Sequence, residues 1–290
     1  MTEDALRSLA LTCPLCCSEC GPPRFYKGDQ PFYGCGVCGS VFQKPALNPN
    51  LSAGIEEFEG AYRHYLEESP EDRLNFNDLV RWMETFRPVA GTAIDLGTGS
   101  GKFPRYLRRR GLESYGLEPS TPLFRRYLAS EPFFYNCRVE DLAAGDLRGK
   151  FDIVTAFDVL EHVEQPAQFL RDACVLLKSG GALYLSTPDV ASAIARLSGK
   201  YWHFYNKWHL SFLPEPVITR IAASVGLQKA GVAHRGRLRS LRYMLEYLFT
   251  FALGRAVRAP AALDRVVLPI NSFDTMYVCF QKPAVGAEEI

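Results

Sequence analysis

Several features are missing from this chain of 290 residues, and each absence narrows what it can do. No apolar run reaches the ~18 to 20 residues that a membrane-spanning helix needs; the nearest, Met244 to Leu253, contains Glu246. The opening Met-Thr-Glu-Asp-Ala-Leu-Arg has neither the basic region nor the continuous apolar segment of a secretory signal, so a cytoplasmic address is expected. Charge of one sign is absent too. The 33 Lys and Arg against 32 Asp and Glu leave +1, so no global field gathers nucleic acid or anionic lipid, and such a partner would need a local patch. There is no internal repeat or low-complexity tract, and a hydrophobic fraction of 47% with 22% charged residues suits a chain that closes a sizeable core.

Cysteine, by contrast, is concentrated at one end. Of nine cysteines, six fall between Cys13 and Cys38. Cys13-Pro14-Leu15-Cys16 and Cys35-Gly36-Val37-Cys38 are two C-x2-C knuckles, and their separation lies in the range of a four-cysteine zinc site. Cys17 and Cys20 form a competing first knuckle; spacing favours Cys13 and Cys16. Such a closed thiolate site stabilises folding rather than catalysing. Residues 13 to 43 carry only short apolar runs and need a staple of this kind. The Pro- and Asn-rich stretch 45–50 then reads as a linker, which divides the chain into a small unit over 1–50 and a larger one over 51–290.

Helical spacing of apolar residues predicts two lead-in helices, over Ile55 to Glu68 and Leu74 to Phe86. From Thr92 onward, strand-like runs at 92–96, 114–117, 152–157, 182–186 and 227–233 alternate with helical segments at 102–110, 121–129, 166–177 and 214–225. That rhythm predicts an α/β fold with a doubly wound, mainly parallel sheet. Met276 to Phe280 is expected to add a last strand, antiparallel and at an edge. Residues 235–272 are an additional segment in which seven arginines flank the apolar run 243–253. It is expected to be a helical lid with its arginines in water, or a surface touching membrane or an anionic substrate.

The most informative stretch is Asp95-Leu96-Gly97-Thr98-Gly99-Ser100-Gly101, which closes one strand and opens a helix. Alternate glycines leave room for a ligand at the carboxyl end of the sheet, where doubly wound folds bind ligands. A carboxylate at Asp95 would repel a pyrophosphate but suits a ligand with an ammonium and a sulfonium. Glu118 ends the next strand, where an acid accepts hydrogen bonds from both hydroxyls of a ribose. An adenosyl ligand without phosphates satisfies both acids.

With these motifs the chain resembles the class I S-adenosylmethionine-dependent methyltransferases, over roughly residues 55 to 233 plus the last strand. Val139-Glu140-Asp141-Leu142 resembles their adenine-contacting acidic turn, Phe151 to Val163 their fourth strand and following turn, and Leu177 to Leu183 their Gly-Gly turn into strand five. The resemblance implies a Rossmann-like seven-stranded sheet. It also implies S-adenosylmethionine held by Asp95, Gly97, Thr98, Gly99, Gly101, Glu118, Glu140, Asp141, Phe157 and Asp158, with Tyr62 closing over it. The subgroup it is most similar to contains ubiquinone-pathway O-methyltransferases and tailoring enzymes of glycans and natural products, often with an N-terminal zinc ribbon; Cys17 and Cys20 depart from that pattern.

A hydroxyl acceptor benefits from a base, and histidine titrates in the right range. His209, in the aromatic stretch Tyr201 to Leu210, is the preferred base and His162 the other candidate; each has the plain alternative of a structural hydrogen bond or cap. The aromatic stretch suits a sugar or planar acceptor, or simply covers core. The expected activity is therefore methyl transfer to a hydroxyl of a small molecule or saccharide, with zinc in a structural role. Rival readings are sugar C-methylation, RNA methylation and a non-catalytic interaction protein. Only Arg24 and Lys27 are basic between Cys13 and Cys38, which disfavours RNA.

Overall fold

The ribbon end of the chain is built from pieces too short to stand alone. In the computed structural model, which describes residues 11–43, 66, 69, 71–253 and 257–284, β1 (Leu11–Thr12) pairs with β2 (Glu19–Cys20), and β3 (Phe25–Lys27), β4 (Gln30–Gly34) and β5 (Val41–Phe42) follow. Apart from Leu66, the expected first lead-in helix, Tyr62 with it, and the 45–50 linker lie outside the described residues. The second lead-in helix is α1 (Asp72–Glu84).

The larger unit then alternates: β6 (Thr92–Leu96), α2 (Lys102–Arg109), β7 (Glu113–Leu117), α3 (Thr121–Tyr127), β8 (Phe134–Tyr135), α4 (Val139–Ala144), β9 (Phe151–Phe157), α5 (Pro166–Leu176) and β10 (Leu177–Pro188), of which the short β8 and α4 were not expected from the apolar periodicity. After these come α6 (Ala193–Ser198), β11 (Ser211–Phe212), α7 (Glu215–Ser224), β12 (Gln228–His234), β13 (Arg237–Ser240), α8 (Leu241–Leu253), β14 (Val267–Ile270) and β15 (Thr275–Gln281). Seven strands form one sheet in the order β12-β15-β10-β9-β6-β7-β8. Its parallel part runs from β10 to β8, and β15 is antiparallel to both β10 and β12.

The last strand is therefore not at an edge. Met276, Val278 and Phe280 enter the core on one face of the sheet, while Tyr277 and Cys279 enter the core on the other. A strand buried on both faces reads as an unbroken apolar run, and this run belongs in the interior for that reason. The edge falls to β12, whose residues are mostly exposed. Helices cover both faces: α1 and α2 bring Val80, Met83, Phe103 and Leu107 to one core, and α5 and α7 bring Phe169, Leu170, Ile218 and Ile221 to the other. Among the described residues no helix is long and apolar enough to cross a membrane.

Two arrangements follow from tertiary contact alone. The ribbon joins the larger unit through β11, which pairs with β5 in a four-stranded sheet ordered β11-β5-β4-β3. Phe32 and Val41 of the ribbon share a core with Trp202, Tyr205 and Phe212. The extra segment is only partly helical: α8 lies between β13 and β14, which pair with each other as an antiparallel ribbon. That ribbon is anchored on α1, where Asn75 Nδ2 donates to the Leu238 carbonyl at 3.0 Å and Asn75 Oδ1 accepts from Leu238 N at 2.7 Å.

Candidate functional site

The turn after β6 is shaped by its glycines in two ways. Gly101 caps α2 at φ +77°, and a Cβ there would meet Leu128 Cδ2 and Phe134 Cζ at 2.6 Å. Gly97, at φ +69°, would meet Val159 Cγ2 at 2.8 Å. Both are demanded by the fold. Gly99 is left-handed too, at φ +57°, but its Cβ position meets only Leu66 Cδ2, at 3.7 Å, among the described residues, so beyond backbone strain nothing described there crowds a side chain. The loop is tied to the next strand by Thr98 N, which donates to the Leu117 carbonyl at 2.9 Å. Gly101→Ala combines left-handed strain with overpacking and is expected to lower stability by about 2–4 kcal/mol, read from urea unfolding. A change within experimental error would contradict this packing.

Two buried acids face the loop. Asp95 Oδ1 accepts from Thr155 Oγ1 at 2.5 Å, and burial pushes its carboxyl up to about 6. Glu118 accepts from Gly99 N at 2.9 Å and Ser120 N at 2.8 Å; burial, with the Asp95 charge beside it, pushes its carboxyl up to about 7. These acids hold protons in the folded chain that an unfolded chain would release. Stability of the ligand-free protein should therefore fall as pH rises from about 4 through about 7. A ligand that presents cationic or hydroxyl donors favours the ionised forms, so its affinity should climb over the same interval and level off above it. Titration of S-adenosylhomocysteine across that range checks the sign; affinity that weakens toward neutrality would refute it.

The acidic turn after β8 serves the backbone as well. Asp141 Oδ2 accepts from Arg138 N at 3.0 Å, closing the first turn of α4, while Glu140 is exposed with Oε2 3.8 Å from Arg138 Nε. Asn136, not singled out from the sequence, donates through Nδ2 to the Glu118 carbonyl at 2.8 Å and so fixes the end of β7.

At the end of β9, Phe157 packs edge-on against Phe103, with centroids 5.5 Å apart. Asp158 adopts φ +56° and accepts from Ser186 Oγ at 2.6 Å. Its other oxygen pairs with Arg237 of β13, whose Nε also donates to Tyr277 Oη at 3.1 Å. Burial would raise the Asp158 carboxyl, but the Arg237 guanidinium and the Ser186 hydroxyl outweigh it and hold the group below its ordinary value. Arg237 was one of seven arginines in the extra segment, and nothing local distinguished it. Only the docking of β13 shows that it reaches this edge.

His162 and His209, distant in sequence, stack edge-on with centroids 4.7 Å apart. His162 Nδ1 is 2.9 Å from the Trp208 carbonyl, and His209 Nδ1 is 2.8 Å from the Phe204 carbonyl. A carbonyl only accepts, so each Nδ1 carries the proton and each Nε2 keeps its lone pair. Burial lowers both imidazoles, His209 strongly and with a further push from His162, so both are neutral bases. They differ in access: His209 is 4% exposed, whereas His162 is partly open. Glu161 is buried beside them, accepts from Thr187 Oγ1 at 3.0 Å, and is pushed up to about 8 by burial and the Asp158 charge. Glu161, His162 and His209 bring three ligand-type atoms within 4.8 Å, a grouping that no sequence spacing announced.

Gln43, at the end of the ribbon, donates through Nε2 to the Asn206 carbonyl at 2.7 Å and the His209 carbonyl at 2.8 Å. The ribbon thus props the loop that carries His209. Its cysteines gather as one set: Cys13, Cys16, Cys35 and Cys38 place their sulfurs within 4.8 Å of one another, with Cys13 to Cys38 at 3.7 Å and Cys16 to Cys35 at 3.5 Å. Tetrahedral zinc with Zn–S bonds of about 2.3 Å requires sulfurs about 3.8 Å apart, which this set approaches. Cys17 is exposed and Cys20 Sγ lies 3.8 Å from the Ser18 carbonyl, outside the set.

An open α/β sheet with a glycine turn after its first strand and an acid ending its second defines a class of nucleoside-binding enzymes. The methyltransferase domain family matches residues 62–230, more than half of the chain. The chain belongs to that family, among the class I S-adenosylmethionine-dependent methyltransferases. It is similar to the ubiquinone biosynthesis O-methyltransferase of Pseudomonas paraeruginosa, 32% identical over 144 residues that make up 47% of this chain and 62% of that protein. The corresponding protein of Xanthomonas axonopodis pv. citri is 30% identical over 183 residues, 57% of this chain and 74% of that one. The chain thus spans less than two thirds of the first of these relatives. Among solved structures, a SAM-dependent methyltransferase from Archaeoglobus fulgidus has a TM-score of 0.53 at 13% identity, covering 78% of this chain and 99% of that one. One from Thermotoga maritima has 0.51 at 17%, covering 78% and 97%. These two share the fold.

Proposed function

We propose that this methyltransferase alkylates an oxygen of a small acceptor, a saccharide hydroxyl or a planar phenol, with His162 as the base. The observation that carries this reading is the His162 imidazole: neutral, partly open, with its Nε2 lone pair available, and next but three to Asp158 at the sheet edge where the cofactor loop opens. The O-methyltransferase names of the relatives support it. His209 differs from the sequence-based preference in being enclosed; it backs His162 and keeps a second positive charge from forming there.

S-adenosylmethionine supplies an electrophilic methyl group when bound. Asp95 and Glu118 are assigned to its ammonium and ribose ends, beside the glycine turn after β6. Alignment of the acceptor oxygen with the methyl group and exclusion of water supply most of the acceleration. His162 takes the acceptor proton as the new bond forms. Cys13, Cys16, Cys35 and Cys38 are assigned to one structural zinc ion, whose four thiolates leave no open position for a substrate.

The test is transfer of isotopically labelled methyl from S-adenosylmethionine to a panel of catechols, polyols and nucleotide sugars, with the product atom located by NMR. The expected product is a methyl ether. His162→Ala should slow turnover about 100-fold or more without weakening S-adenosylhomocysteine binding. Methylation at carbon or nitrogen, or a His162→Ala enzyme of undiminished rate, would refute the reading.

A further inference from the structure

The carboxyl edge of the sheet also carries an exposed apolar face that methyl transfer does not use. Ile194 and Leu197 of α6 share one face of that helix, and Tyr201 stands exposed in the turn that follows the helix end at Gly199. Leu197 is 88% exposed and Tyr201 78% exposed, while Ala195 turns inward. A second exposed set comprises Leu268 and Ile270 of β14 and Phe273 in the following turn. In the register of β13 with β14, Leu268 lies opposite Arg239 and Ile270 opposite Arg237, so these four side chains share a face.

The two sets adjoin. Trp202 Nε1 donates to the fully buried Asp274 at 2.8 Å, and His203 Nδ1 lies 3.7 Å from the same carboxylate. Tyr201 and Phe273 are the immediate chain neighbours of these contacting residues. Phe273 holds φ +55°, a left-handed conformation unusual for a bulky side chain, and its N–H donates to Asn271 Oδ1 at 2.9 Å. That turn keeps an aromatic ring 65% exposed to water. The face stands beside the acceptor side of the site, because Thr275 pairs with Pro188 at the carboxyl end of β10 and Arg237 reaches Asp158.

Its charge is as uneven as its polarity. Residues 190–213 contain Arg196, Lys200 and Lys207 and no acid, in a chain whose net charge is only +1; in the neighbouring segment Arg235, Arg237 and Arg242 are paired with Asp78, Asp158 and Glu246 and add no excess charge. Lys200 sits over the Tyr201 ring, with Nζ 5.2 Å from its centroid. Tyr201 and Phe273 could stack on bases, but the other exposed apolar groups, Ile194, Leu197, Leu268 and Ile270, are aliphatic and offer nothing to a base, which favours lipid over nucleic acid as the occupant. Cations interleaved with exposed aromatic and aliphatic groups match the headgroup layer of an anionic bilayer, where the former meet phosphates and the latter leave water.

We propose that this face docks the protein on an anionic lipid surface, with Leu197, Tyr201 and Phe273 entering the headgroup region and Arg196 and Lys200 against lipid phosphates. The docked orientation turns the acceptor side of the site toward the membrane. The inference goes beyond methyl transfer and does not depend on the identity of the acceptor.

The experiment is co-sedimentation of the full chain with phosphatidylcholine vesicles, with and without phosphatidylglycerol, at low and high salt. Partitioning into the anionic vesicles is expected to be at least about tenfold stronger than into phosphatidylcholine alone, and to weaken with salt. The double variants Leu197→Asp/Tyr201→Asp and Arg196→Glu/Lys200→Glu should each lose about tenfold or more, with unchanged melting temperature. Phe273→Ser, a milder change in an exposed turn, should lose part of the binding. Equal partitioning into both vesicles, or full binding by both double variants, would overturn the proposal. So would tighter binding to a single-stranded RNA that the same variants abolish. S-adenosylhomocysteine binding, measured in solution, stands or falls separately.

Discussion

Stripping zinc from the purified protein, or replacing Cys35 by Ser, should unfold the ribbon and lower the melting temperature of the whole chain by about 10 °C or more. The ribbon has little else to hold it. Its strands are two to five residues long, and its own apolar cluster, Cys13, Tyr33, Cys35 and Phe42, is built around the thiols. Without the cation, four thiols would remain crowded within 4.8 Å with nothing to bridge them. The damage should spread, because Phe32 and Val41 cover Trp202, Tyr205 and Phe212, and Gln43 holds the carbonyls of Asn206 and His209. Metal analysis should find one zinc per chain, retained in Cys17→Ser and Cys20→Ser. Metal-free protein that melts at the same temperature would exclude a structural zinc.

Glu118→Ala is expected to weaken S-adenosylhomocysteine by about 100-fold or more. Two hydroxyl hydrogen bonds to a carboxylate in a water-poor site are at stake, each contributing about 1.5–3 kcal/mol. The substitution also removes the acceptor for Gly99 N and Ser120 N, so the loop geometry suffers with the contact. Glu118→Gln separates the two losses. Its amide oxygen can still accept one backbone N–H, so binding should fall by less, and the rise of affinity between about pH 4 and 7 should shrink as one titrating acid is lost. Calorimetric titration of both variants decides the matter. Binding within a factor of two of the parent in Glu118→Ala would place the ribose elsewhere.

The helices and strands of the larger unit were legible because their signals are local. Alternating apolar runs marked β6, β7, β9 and β10, and the glycine spacing marked the tight turn after β6 beside which Asp95 and Glu118 are buried. β15 shows where local reading stopped. The same five apolar residues suit an edge strand or an interior one, and only the second face of core packed against Tyr277 and Cys279 made it interior. The cysteines were ambiguous in pairing for a similar reason: both knuckles have acceptable spacing, but the turn between β1 and β2 brings Cys13 and Cys16 to Cys35 and Cys38 and leaves Cys17 exposed.

By itself, then, the sequence determined the class of fold, and it picked out the glycine turn, the two acids beside it and the two cysteine knuckles that the structure brings together. Each of these depends on residues within a strand, a turn or a knuckle, where period, spacing and side-chain chemistry act over a few bonds. Tertiary structure alone decided that Arg237 pairs with Asp158, that His162 and His209 stack with only one of them open, and that Gln43 of the ribbon supports the histidine loop. Those contacts join residues 79, 47 and 166 positions apart. Their partners are chosen by how sheets and helices pack rather than by anything written beside them in the chain.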